Sequence, residues 1–260
     1  MKINEDRLNA LVNAFILIGM LTAVTVLDVY KLQQPGSRVF MLMLASAGTL
    51  TGVLNTVLSA NGNIMTFLFG VIDVSIASVV AFDSSIRPDG DPVWGNFALH
   101  AFYFLPMQFI GWRQWKKRGA AAGSKVKARR LSAWGAGCTA AALAAGTGIS
   151  YAVLCLISGN SVTGLHAIIL MDAAVFTLNI LGQILMSLAY MEQWLIWLAV
   201  NIFSIALWSG KALSSAESSY TAVMVIKYAF YLLNSLNGLR IWYKLSAAPS
   251  ADDVLNEKVS

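Results

Sequence analysis

The sequence predicts an all-α integral membrane protein of eight transmembrane helices, built as one extra N-terminal helix followed by a 3+1+3 core of parallel repeats. Three observations lead there: few charges, apolar runs of bilayer length, and a motif that occurs twice. Apolar residues fill 57% of the 260 positions and charged residues only 12%, about half the charge of an ordinary soluble domain. Lipid is therefore the solvent for most of the chain. Charge-poor runs that meet the requirement of about 20 residues per crossing fall at 8–29, 39–60, 64–82, 93–113, 131–158, 163–190, 193–211 and 219–240. The pattern G-x-R-x-W-x-K closes the fourth run at Gly111 to Lys117 and the eighth at Gly238 to Lys244, 127 residues apart. Four runs lie between the copies, an even number, so both copies leave the membrane on the same side and the repeats are parallel.

Residues 1–30 form the extra helix. It has no small-residue cleavage signature after a short apolar core, so the sequence reads it as a retained anchor. The first three-helix repeat spans 38–118, and the turn formers D-S-S-I-R-P-D-G-D-P at 83–92 supply an external loop between its second and third helices. Residues 131–158 form a linker helix rich in small residues, including Gly135, Gly137, Ala140 to Ala142, Gly146 and Gly148. Small residues let helices approach closely in lipid; that face leaves a homo-oligomer or a bundle contact open beside simple packing. Cys138 and Cys155 lie on this helix, roughly 25 Å apart at about 1.5 Å per residue, beyond disulfide reach. The second repeat spans 163–244, and 245–260 is a polar tail. Upstream of the motif the echo continues at an offset of 128, where Thr49 meets Thr177, Leu50 meets Leu178, Ser59 meets Ser187 and Phe69 meets Trp197.

Eight of the 18 Lys and Arg residues lie between Arg113 and Arg130. With eight spans this excess places both termini in the cytoplasm. The basic cluster occupies one short loop without a nucleic-acid-binding fold, so no nucleic-acid partner is expected. Two histidines, no H-E-x-x-H, no G-x-S-x-G and no phosphate loop speak against an enzyme, and no catalytic residue, metal or cofactor is expected.

Ionisable groups inside spans are costly unless they face a cavity or a partner. Asp73, Asp172 and Lys227 are the three, read either as a substrate path or as a structural charge pair. Amides gather similarly: Asn179, Gln183, Asn201, Asn234 and Asn237 in the second half, Asn55 and Gln108 in the first. Each suits a hydroxyl-rich ligand or an interhelical hydrogen bond. The seventh span is the most pointed, since Trp194, Trp197, Asn201, Ser204 and Trp208 follow spacings of 3, 4, 3 and 4 and share one helix face. Such a stripe should line a cavity, and a desolvated cation over an indole face gains up to about 2 kcal/mol.

The segment Glu192 to Trp208, E-Q-W-L-I-W-L-A-V-N-I-F-S-I-A-L-W, resembles the PnuC family of vitamin-precursor transporters, with its W-x-x-W and following Asn. Leu236 to Trp242 is similar to the last helix of that family, and Phe67 to Val74 to a segment that often carries Asn where Asp73 stands. The resemblance covers roughly residues 40–244. It implies a SWEET-like facilitator for nicotinamide riboside in a bacterial inner membrane, with the substrate trapped inside by phosphorylation. It carries over Trp194, Trp197 and Asn201 as substrate-binding residues, then Asp172 and Asn237; Asp73, Asn179, Gln183, Lys227 and Gln108 complete the candidates. A carrier of thiamine, riboflavin or a sugar is the alternative, proton coupling through Asp73 or Asp172 is open, and a retinal photoreceptor with Lys227 as its Schiff-base lysine is the rival from another class.

Overall fold

A computed structural model describes residues 5–33, 38–87, 94–121, 123–214 and 218–247. Residues 88–93 and 248–260, which hold half of the expected external loop and most of the polar tail, lie outside it. Among the described residues the chain is helical, with isolated bridge pairs at Ala121 with Ser124 and Arg129 with Tyr190. The helices are α1 (Glu5–Leu32), α2 (Val39–Ala60), α3 (Thr66–Ile86), α4 (Trp94–Ala98), α5 (Leu105–Lys117), α6 (Ala133–Ile157), α7 (Ala167–Ser187), α8 (Gln193–Ser214) and α9 (Ser218–Ala247). A π-helical stretch, Leu99–Phe104, joins α4 to α5. Its cause is Pro106 in the first turn of α5: proline has no N–H and its ring crowds the carbonyl four residues back, so the preceding turn widens, and Leu105 N bonds His100 O.

Six described helices are long and apolar enough to cross a membrane: α1, α2, α3, α6, α7 and α8. The other two expected spans are also helical. One is divided by the π stretch, and the other, α9, carries Lys227, Asn234 and Asn237. This is the build of an integral, multi-pass membrane protein.

The packing is a closed ring of helices. α2 contacts α3, α3 contacts α5, α5 contacts α7, α7 contacts α8, α8 contacts α9 and α9 returns to α2. α1 sits against α2 and α9, burying Ile16, Met20 and Val24. α6 packs on α7, where Gly146 permits the approach: a Cβ there would come within 2.6 Å of Thr177 Cγ2. Gly137 and Gly148 face open space. Cys155 is buried and Cys138 exposed, both as free thiols.

At one end of the ring the chain forms an aromatic plug. Phe67, Trp115, Trp194 and Trp242 are at most 3% exposed and pack with Ala60, Met186 and Ala189. The ends of α2, α5, α7 and α9 and the starts of α3 and α8 all meet here. The hydrogen bonds cross between halves: Trp115 Nε1 donates to Met186 O at 2.8 Å, and Trp242 Nε1 donates to Ser59 O at 3.0 Å. Donors and acceptors are each 127 residues apart, so every motif tryptophan closes the helix end of the opposite half.

The same register recurs in three further pairs. Gly62 and Ala189 both adopt left-handed backbone, at φ 68° and 59°. Gly111 lies against the Phe67 ring as Gly238 lies against the Trp194 ring. These contacts recur at an offset of 127 and not at the 128 of the upstream echo: Phe67 takes the place of Trp194 against its glycine, and Ser59 that of Met186 as indole acceptor. Adding 127 to the bounds of α1, α2 and α3 gives 132–159, 166–187 and 193–213, against the observed α6, α7 and α8.

Candidate functional site

Inside the ring lies a cavity of about 570 Å³, within the usual range for small-molecule sites. Every ring helix except α5 contributes to it, and ahead of α5 the chain contributes through α4 and the π stretch. α2 offers a shallow wall, with Gly48, Gly52 and Thr56 at helical spacing, together with Asn55. Gly52 matters because a Cβ there would come within 3.0 Å of the Asp73 carboxylate, so the bare backbone lets α3 bring Asp73 to the wall. The fourth segment supplies Asn96 and His100, whose Nδ1 lies 2.8 Å from Asn96 O.

The second half supplies most of the aromatic and amide groups. On α8, Trp194, Trp197 and Asn201 line the cavity. The Trp197 ring lies against Gly182 of α7, 3.1 Å from where a Cβ would stand, which leaves it half-buried as a wall of the site. Trp194 is nearly sealed, stacked against Gly238 and 6.2 Å from the Trp242 ring; it is an internal wall and not a membrane-boundary anchor. Asn201 Nδ2 donates to Ser235 Oγ at 3.0 Å, tying α8 to α9 at the cavity edge. Asn179 donates to Val175 O at 2.8 Å and Gln183 to Ser187 Oγ at 3.3 Å, each along its own helix with the side chain on the cavity wall. On α9, Lys227 points its ammonium over the Tyr231 ring at 5.5 Å, close enough to Asp73 and His100 to act on both electrostatically.

The structure thus brings together seven of the ten sequence candidates: Asp73, Asn179, Gln183, Trp194, Trp197, Asn201 and Lys227. Three lie elsewhere. Asp172 is exposed on α7. Gln108 is 2% exposed and wedged against Gly70, where its amide carbonyl fills the space a side chain would take. Asn237 accepts from Arg240 at 2.9 Å near the plug. Of the rest of the α8 stripe, Ser204 is buried and Trp208 half-buried, outside the cavity lining.

Sequence reasoning did not single out Tyr228, Tyr231 or His100 as site residues. Two of the three had a signal, since Lys227, Tyr231 and Asn234 follow spacings of 4 and 3, with Tyr228 and Ser235 beside them on the same face of α9. The third faces the cavity from the π stretch, whose wider turn shifts side chains off α-helical spacing.

A ring of helices around a polar, aromatic cavity, plugged at one end, is transporter architecture. A family model described as nicotinamide mononucleotide transporter matches residues 42–244. The chain belongs to this transporter family. Among its curated relatives is a nicotinamide riboside transporter PnuC of Neisseria mucosa, 31% identical over 206 residues, which are 78% of this chain and 72% of the relative. The protein of the same name from Haemophilus influenzae is 33% identical over 204 residues, 78% of this chain and 80% of that one. A crystal structure of the vitamin B3 transporter PnuC superposes with a TM-score of 0.63 at 30% identity, covering 90% of this chain and 92% of that one. The family description thus names a mononucleotide and the relatives a riboside.

Proposed function

We propose that this member of the family carries nicotinamide riboside across a bacterial inner membrane by facilitated diffusion, and that intracellular phosphorylation traps it. The cavity is the observation that carries this reading. A pyridinium ring is planar and cationic. Trp197, Tyr228 and Tyr231 give it aromatic faces, worth about 2 kcal/mol to a desolvated cation, and Asp73 gives it a counter-charge. Ribose hydroxyls both donate and accept, as do Asn179, Asn201 and Gln183.

The riboside is favoured over the mononucleotide named in the family description. A phosphate calls for a fork of guanidinium or ammonium donors. Among the described lining residues there is one lysine and no arginine, and that lysine shares its field with Asp73.

The membrane arrangement in this reading is eight crossings with both termini in the cytoplasm and the basic loop on the plugged side. The shared register at 127 supports two halves inserted the same way up. It also groups α1 with α6, making each half a four-helix unit rather than leaving α1 as an extra helix and α6 as a linker. Protein in liposomes should take up labelled nicotinamide riboside, with or without a pH gradient. Excess unlabelled riboside should compete, whereas thiamine, riboflavin, sugars and the mononucleotide should not. Equal transport of riboside and mononucleotide would refute the substrate assignment, and loss of uptake on collapsing the pH gradient would refute facilitated diffusion.

A further inference from the structure

The Arg and Lys of the repeated motif have partners in one half and none in the other. On α9, Leu233, Asn237, Arg240 and Lys244 share the face on which α1 lies. Leu233 packs on the cluster of Ile16 and Met20. Arg240 donates to Asn9 Oδ1 of α1 and, at 2.9 Å, to Asn237 Oδ1. Lys244 pairs with Glu5. The positions 127 residues earlier are Pro106, Ile110, Arg113 and Lys117 of α5, and all four are exposed.

The helix that corresponds to α1 leaves this face bare for two reasons. α1 sits against both α2 and α9, whereas α6 packs on α7 and makes no comparable contact with α5. α6 also lacks the groups that α1 supplies, because Ser132 and Ala136 stand where Glu5 and Asn9 would fall, and the Ser132 hydroxyl caps its own helix by accepting from Gly135 N. Among the described residues Arg113, Lys117 and the adjacent Lys116 form no ion pair.

The bare face has a definite polarity. Pro106, Phe109 and Ile110 make its apolar part, and Arg113 and Lys117, one turn apart, end it in two cations. Trp112 lies beside Arg113, and Trp134, 80% exposed, opens α6 at the same side of the molecule; indoles mark the level where hydrocarbon meets headgroups.

We infer that this face of α5 binds an anionic phospholipid, with its acyl chains along Pro106, Phe109 and Ile110 and its phosphodiester on Arg113 and Lys117. The phosphate takes the part that Asn9 and Glu5 of α1 play in the other half. Arginine presents a fork of donors to phosphate oxygens and lysine a point charge, and basic sites beside spans on the cytoplasmic side receive anionic headgroups. A second copy of the chain fits less well. It would have to bring carboxylates to the level of Arg113, and α6 beside it has none. The inference uses the membrane arrangement given above and is independent of the transported substrate.

The test is native mass spectrometry of the purified, unaltered protein in detergent, with equal amounts of phosphatidylglycerol and phosphatidylcholine added. Phosphatidylglycerol should be retained in preference. Arg113→Gln with Lys117→Gln should cut that preference by roughly 30-fold, the product of two charges lost at a membrane surface. Lys125→Gln with Lys127→Gln removes as many charges from the same basic loop and should leave it unchanged. Arg113→Lys with Lys117→Arg keeps both charges and should retain the preference, which separates the effect from misfolding. Equal retention of the two lipids by the unaltered protein, or equal losses in both glutamine double variants, would overturn the site. A dimer that sheds phosphatidylglycerol would assign the face to a second copy instead. In a parallel melting experiment phosphatidylglycerol should raise the thermal midpoint; an equal rise with inorganic phosphate would overturn the lipid assignment in favour of a free anion.

Discussion

Replacing Trp242 by Phe keeps an aromatic ring in the plug and deletes one atom pair, the Nε1 donor to Ser59 O at 3.0 Å. The Ser59 carbonyl ends α2 inside a sealed aromatic cluster and keeps its bond from Gly62 N at 2.9 Å, so the cost is that of one lost hydrogen bond, about 0.5 to 1.5 kcal/mol. At about 1.4 kcal/mol per factor of ten, opening of the plugged end should become roughly 2- to 12-fold more frequent. The Trp115 and Trp242 rings are 5.3 Å apart, within the range where mutations couple, and Trp115→Phe removes the equivalent bond to Met186 O. Each single variant should therefore loosen both helix ends. The assay is hydrogen–deuterium exchange by mass spectrometry on detergent-solubilised protein, following peptides that cover 57–64 and 184–191. Both peptides should exchange faster in either variant, by about the same factor, while peptides from the middle of α6 stay unchanged. Unchanged exchange in both segments, or acceleration confined to the segment whose own bond was cut, would show that the crossed bonds do not hold the halves together as a unit.

Three further outcomes are expected. Trp197→Leu should weaken nicotinamide riboside binding by roughly 30-fold, the equivalent of about 2 kcal/mol of cation–π contact, with little change in melting temperature because the ring is only half-buried; undiminished binding would show that the cation lies elsewhere. Gly238→Ala should destabilise the protein, since its Cβ would stand 2.6 Å from Trp194 Cε3; a loss of about 1 to 3 kcal/mol is expected for such overpacking, read as a lower thermal midpoint. Gly62→Ala and Ala189→Gly should move stability in opposite directions, by about 1 kcal/mol each, because both positions are left-handed and only the first already has glycine. A stabilising Gly62→Ala would contradict the shared turn geometry.

Much of the helix layout was legible because lipid demands long apolar runs. The expected 39–60 matches α2, and 193–211 falls within α8. The offset between corresponding contacts was less legible. Coincidences of Thr, Leu and Ser among apolar helices suggested 128, whereas the crossed indole bonds and the paired left-handed turns set it at 127. The matching bounds of α1 and α6 at that offset left little trace in composition, since one buries Ile16, Met20 and Val24 and the other is built of alanine and glycine. Along the cavity wall, Trp194, Trp197 and Asn201 of the α8 stripe and the α7 amides were readable from spacing, whereas Ser204 and Trp208 of the same stripe lie outside the lining. Gln108, Asn237 and Asp172 were not separable from them, because a polar residue in a span looks the same whether it faces a cavity, a neighbouring helix or the outside.

An indole from each half reaching into the other is the contact pattern of a two-fold dimer, here within one polypeptide. Within one chain the two faces are free to differ, and they do. Phe67 stands opposite Trp194, Gly62 opposite Ala189, and, by the same count, His100 opposite Lys227 on one cavity wall. A chamber between identical subunits would have to offer any guest two copies of each group. This one can show an aromatic side and a charged side to a molecule that has no symmetry of its own.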